Sequence, residues 1–137
     1  MQAAEDASAG VVATVSRKMG AGQFDKFDEI YGQGFVAHGS GRDYTLDEDN
    51  ASRKEWRKAC PDLQVAVLRT VADADHVAVH WNAKCTNTVA AAGLPGQGSK
   101  ASVDGMTFFR FKDSKIVEEW SIIDIASMMR QLGTKSG

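Results

Sequence analysis

The chain has 137 residues, 43% of them hydrophobic and 25% charged, with a formal net charge of -2. That length predicts a single domain over residues 1–137 with a modest core. The slightly acidic balance argues against a nucleic-acid or anionic-membrane partner, either of which would need a basic excess. No apolar run approaches the roughly 18 residues that a membrane-spanning helix needs. The N-terminus, Met-Gln-Ala-Ala-Glu-Asp, lacks the basic and apolar regions of a secretory signal. Cys60 and Cys85 are too few for a disulfide framework and lack metal-site spacing, so both are expected to be reduced and buried. Together these features suggest a cytoplasmic protein, or one imported into an organelle after loss of a transit peptide.

Apolar residues at helical spacing over 3–19 (Val12, Val15, Met19) and again over 24–30 or 31 (Phe24, Phe27, Ile30) predict two N-terminal helices. A short strand, Phe35 to His38, leads into a loop starting at Gly39. A third helix is expected from about Thr45 to Ala59, with Leu46, Trp56 and Ala59 apolar and Pro61 ending it. Its charges, Asp47 to Asp49, Arg53, Lys54, Glu55, Arg57 and Lys58, are of both signs and read as a solvated face.

From Leu63 the pattern changes to period two. Leu63, Val65, Val67 and Val71 form one strand, and Asp73-Ala-Asp75 is the turn. The next strand places Val77, Val79, Trp81, Ala83 and Cys85 on one face, and His76, His80, Asn82 and Lys84 on the other. Residues 88–100 are irregular, and Gly93 to Gly98 within them read as a flexible flap beside the pocket. Val103 to Phe111 and Ile116 to Ile123 are two further strands joined by the polar connection Lys112 to Lys115. A short helix (Ile125, Met128, Met129, Leu132) follows. Helices first and a four-strand antiparallel meander afterwards is an α+β pattern.

If the last strand is regular, Ile116, Trp120, Ile122 and Asp124 share a face. An acid on an apolar wall loses hydration, and its pKa rises into the range where it can exchange protons near neutrality. The competing role for Asp124 is N-cap of the closing helix. His38, near the expected cavity mouth, is a second candidate, either as a donor to substrate or as a rim residue bonded to the nearby loop. Trp120, Trp81, Phe35, Trp56, Met106, Phe108 and Met128 are candidate pocket wall, and each is equally a candidate for plain core. Asp104 is expected to be solvated, Arg110 to pair with Glu118 or Glu119 across the hairpin, and His76 and His80 to face outward. No metal-ligand spacing is present among the three histidines.

The ordered set Pro61-Asp62-Leu63, Asp75 to Trp81, Gly93-Leu94-Pro95, Lys115-Ile-Val-Glu-Glu-Trp120, Asp124 and Gln131-Leu-Gly133 resembles the SnoaL-like polyketide cyclases of the NTF2-like superfamily. The resemblance covers about 57 to 133. It implies a cone-shaped α+β barrel with N-terminal helices packed on a curved antiparallel sheet and a short C-terminal helix. It further implies a pocket between sheet and helices, a homodimer through the outer sheet face, and Asp124 as acid/base of a cofactor-independent aldol cyclisation on a small hydrophobic carbonyl compound. The same superfamily includes non-catalytic binding or dimerisation modules, in which Asp124 would only cap a helix. It also includes epoxide hydrolases, whose chemistry would call on two acids with an arginine between them, for which Asp104, Arg110 and Asp124 supply the residue types.

Overall fold

The computed structural model of the chain describes residues 31–39, 41–73 and 75–133. The helices expected over 3–19 and 24–30 lie outside the described residues. Strand β1 (Tyr31–Gly39) and strand β2 (Arg42–Thr45) come first, followed by helix α1 (Leu46–Ala59). Strands β3 (Gln64–Ala72), β4 (His76–Asn87), β5 (Ser99–Lys112) and β6 (Lys115–Ile123) follow, and helix α2 (Ile125–Gln131) comes last. The six strands form one sheet in the order β2-β1-β6-β5-β4-β3. The four-strand meander is therefore present but extended: β1 lies parallel to β6, and β2 pairs antiparallel to β1. Tyr31, at the expected end of a helix, instead opens a strand.

Local chemistry accounts for the boundaries. Thr45 caps α1 in a reciprocal box: its hydroxyl accepts from the Glu48 N–H at 3.2 Å, and its own N–H donates to the Glu48 carboxylate at 3.0 Å. Asp47, Glu48 and Asp49 lie in the first turn and Arg57 and Lys58 in the last, complementing the helix dipole. The β5–β6 hairpin turns through Asp113 (φ 52°) and Ser114 (φ 64°), and two left-handed residues in succession give the twist such a two-residue turn needs.

Two buried clusters hold the sheet to its cover. One gathers Tyr31, Phe35, Val77, Phe111 and Ile116; the other gathers Cys60, Leu94, Val103, Met128 and Leu132. Cys60 and Cys85 are joined by a disulfide, tying the end of α1 to β4. This corrects the expectation of two reduced thiols, because the fold brings their Cα atoms to 5.5 Å, within bridging distance. The segment between β4 and β5 is anchored. The buried Asn87 side chain donates to the carbonyls of Ala59 and Val89 (both 3.0 Å) and accepts from the Gly96 N–H at 2.7 Å. Among the described residues, no helix is long and apolar enough to cross a membrane.

One irregularity in β6 decides which side chains face inward. Phe111 pairs with Ile116 but Arg110 pairs with Glu118, so Val117 is an extra, unpaired residue. A bulge of this kind shifts the alternation by one. Ile116 is fully buried before it, and after it Glu119 rather than Trp120 points inward.

Candidate functional site

A cavity of about 480 Å³ lies between the inner sheet face, α1 and the start of α2. Its wall is mostly apolar, with Val79, Trp81, Val103, Phe109, Trp56 and Met128 contributing from four elements. Gly105 on β5 makes the space for Trp81: a Cβ there would lie 2.2 Å from the indole. The indole is accordingly laid across β5, where its N–H donates to the Thr107 hydroxyl at 3.0 Å. The Thr107 and Ser121 hydroxyls are in turn 2.9 Å apart.

The charged residues of the wall are Asp49, Arg53 and Arg57 from α1 and Glu119 from β6, with His38 at its edge. Glu119 is only 4% exposed. Arg53 Nη2 reaches Glu119 Oε1 at 3.3 Å and the Tyr31 hydroxyl at 3.0 Å, while its Nη1 donates to Asn50 at 3.1 Å. Asp49 Oδ2 lies 2.7 Å from the same guanidinium but off its N–H axis, so it gains charge attraction without an aligned hydrogen bond. Burial pushes the Glu119 carboxyl up from the ordinary glutamate value to about 8; Arg53 opposes this, and the nearby Asp49 reinforces it by charge and by a side-chain hydrogen bond. A neutral carboxylic acid can donate that hydrogen bond, and a carboxylate cannot. Burial likewise raises the Tyr31 phenol, with Arg53 opposing.

The expected site residues divide between two faces. Trp81, Trp56 and Met128 line the cavity. Phe35 is buried in the first cluster, edge-on to Tyr31 at 4.6 Å, and is core rather than wall. Trp120, Met106 and Phe108 are corrected to the outer sheet face. The bulge turns Trp120 out, and Met106 and Phe108 alternate with the inward Gly105, Thr107 and Phe109 of β5. Trp120 stacks there on His38 (ring centroids 5.2 Å apart) and meets Phe108 at 5.8 Å.

Asp124 is exposed and absent from the described cavity wall. Its side chain accepts the Ser127 N–H at 3.2 Å and caps α2. The expectation of an acid on the apolar wall is thus met by a different residue, Glu119. His38 is at the cavity's edge, but both its ring nitrogens are engaged away from it, 2.6 Å from Asp43 and 2.6 Å from Glu118. Those two carboxylates, Glu118 first, raise its pKa. Arg110 bonds Glu118 at 3.0 Å, and Asp104 pairs with His80 at 3.0 Å on the outer face. The set Asp104, Arg110 and Asp124 therefore does not converge; two acids with an arginine between them occur instead as Asp49, Arg53 and Glu119.

Sequence reasoning missed this trio, although one signal was available. Positions 46, 49, 53 and 56 share one helical stripe, so Asp49 and Arg53 sit between two apolar residues on the buried side of α1.

A curved sheet covered by helix on one face, with a pocket between them, defines the NTF2-like α+β cone. The model of the SnoaL-like polyketide cyclase family matches residues 11–132, and the chain belongs to that family. Among solved structures it is similar to IdmH from Streptomyces antibioticus (23% identity, 93% of this chain and 99% of that one, TM-score 0.82). It is also similar to AclR from Streptomyces galilaeus (21%, 92% and 95%, TM-score 0.84) and to a SnoaL-like polyketide cyclase from Agrobacterium tumefaciens strain C58 (22%, 92% and 98%, TM-score 0.78). At these identities the likeness is one of fold. A search of curated proteins finds no match.

Proposed function

We propose that the protein is a cofactor-independent cyclase- or isomerase-type enzyme acting on a small hydrophobic carbonyl compound, with Glu119 as its acid/base. The supporting observation is a buried carboxyl, held between Arg53 and Asp49, that opens into an apolar cavity. A carboxyl titrating near 8 is present in both forms around neutrality, so it can take a proton and return it. In the ionised form it removes the proton alpha to a carbonyl, and the substrate becomes an enolate. The enolate carbon bonds to a second carbonyl carbon of the same molecule, and the resulting alkoxide receives the proton back from Glu119. Atoms balance without a co-reactant. The cavity contributes proximity and low polarity, and Arg53 keeps charge near the developing oxyanion.

The test is deuterium exchange at the α-carbon of an α-methylated aryl β-keto ester in D2O. The wild-type protein should exceed the buffer background, and Glu119→Gln should lose about 10²-fold or more of that excess. Exchange no faster than buffer, with the ester bound, would instead identify a non-catalytic binding module. The acid–arginine–acid trio also supports a second reading, epoxide hydration, in which Glu119 protonates the ring oxygen and Asp49 accepts a proton from water. Conversion of an aryl epoxide to a diol, without ester exchange, would favour it. We further propose a homodimer through the outer sheet face, where Met106, Phe108, Trp120 and Ile122 are exposed together.

A further inference from the structure

We infer that Ser121 is a built-in hydrogen-bond donor for a ligand carbonyl oxygen in the cavity, held in that role by Trp81 and Thr107. This deepens the proposed function and rests on it, since it assigns where the carbonyl sits relative to Glu119.

The direction of each hydrogen bond follows from what each group can do. An indole N–H can only donate, so at 3.0 Å Thr107 Oγ1 is the acceptor. Thr107 is buried, and its own hydroxyl hydrogen must find a partner or leave a costly unpaired donor. Among the described residues the side-chain partners of Thr107 are Trp81 and Ser121, and Trp81 offers no acceptor. Thr107 therefore donates to Ser121 across 2.9 Å. Ser121 is thereby the acceptor of that bond, and its own hydrogen has no side-chain acceptor among the described residues. Ser121 lines the cavity, so that hydrogen is directed to whatever occupies it. Each bond in such a chain polarises the next, which makes the last hydroxyl a better donor than an isolated serine.

The position is chemically apt. Ser121 and Glu119 are two apart on one strand after the bulge, so they share the inner face at a spacing of about 6.8 Å along the strand. A hydrogen bond from Ser121 to a carbonyl oxygen, followed by the two bonds to the α-carbon, spans most of that distance and brings the α-proton towards the carboxyl. The ligand class is an aryl or similarly flat ketone or ester, its apolar body against Trp81, Phe109 and Val103 and its oxygen on Ser121. Trp81 and Thr107 act as positioning residues.

The experiment uses carbonyl-13C-labelled 2-acetonaphthone as the probe, with the carbonyl NMR shift as readout. Bound to wild-type protein, the resonance should move downfield of its value in cyclohexane, as a hydrogen-bonded carbonyl does. Ser121→Ala should remove that shift and weaken binding about three- to tenfold, the worth of one net hydrogen bond. Ser121→Thr should keep the shift, and Thr107→Val should reduce it while binding persists. An identical bound shift in wild type and Ser121→Ala would overturn the inference and leave the pocket assignment standing. No binding to the wild-type protein would overturn both. Exchange activity lost in Glu119→Gln with the carbonyl shift retained would show that the two roles are separate.

Discussion

Glu119, in the middle of β6, and Asp124, just past its end, are acids five residues apart, and their surroundings give them opposite characters. Asp124 is solvated and occupied with a backbone N–H, while Glu119 is enclosed with Arg53 and Asp49. The consequence for stability has a definite sign. A carboxyl whose folded pKa lies above its unfolded value keeps its proton in the native state while the unfolded chain releases it, so its contribution to stability falls as pH rises between the ordinary glutamate value and about 8. His38, also raised, contributes in the same direction: its share is complete below the ordinary histidine value and is lost as pH rises through the raised one. Urea midpoints measured from pH 5 to pH 9 should therefore decline. Glu119→Gln should flatten part of that decline. An unchanged slope in Glu119→Gln would contradict the burial of this charge.

At the scale of elements, the inner face depends on close approaches that only particular residues allow. Gly105 lets the Trp81 indole lie across β5, and any Cβ there would overlap it. Gly105→Ala should destabilise the domain by about 1–3 kcal/mol, the usual range for overpacking. It should also shift the tryptophan emission as the indole leaves its bond to Thr107. A near-neutral midpoint with unchanged fluorescence would show that the ring has room to move. The sequence shows Gly105 within a strand, where glycine often marks close backbone or side-chain approach, but not which ring it accommodates. Helix α1 was legible from its apolar positions Leu46, Trp56 and Ala59 and from Pro61 beyond, because such signals depend on near neighbours in the chain. The bulge at Val117 was not legible, since an apolar β-branched residue suits either a paired or an unpaired place. That single residue interchanges Trp120 and Glu119.

At the scale of the molecule, the face opposite the cavity carries an apolar patch that a lone protein leaves in water. Met106 is 59% exposed, beside Phe108 and Trp120 on adjacent strands, and Ile122, 78% exposed, continues the patch to the cavity's edge. Contiguous exposure of this kind marks an interaction surface, and a two-fold pairing would present the same patch from both copies. Sedimentation equilibrium should give a dimer, and Phe108→Glu with Met106→Asp should give monomers that retain the cavity and bind 2-acetonaphthone. A wild-type monomer at all concentrations would refute the dimer.

The order of elements from α1 to α2, the α+β class and the inward face of β4 were determined by the sequence itself. Capping, turns and alternation are local, and on β4 the large apolar Val77, Val79 and Trp81 alternate with His76, Ala78, His80 and Asn82. The family resemblance rested on the same ordered residues. The identity of the buried acid was decided only by tertiary structure. Glu118 and Glu119 are adjacent and chemically alike, and which one meets Arg53 depends on a register shift set by the pairing of β6 with β5. The covalent state of Cys60 and Cys85 was decided in the same way, by two elements 25 residues apart brought within bonding distance. Local pattern fixes what an element is, but its contacts depend on the partner it meets, and here that partner comes from elsewhere in the chain.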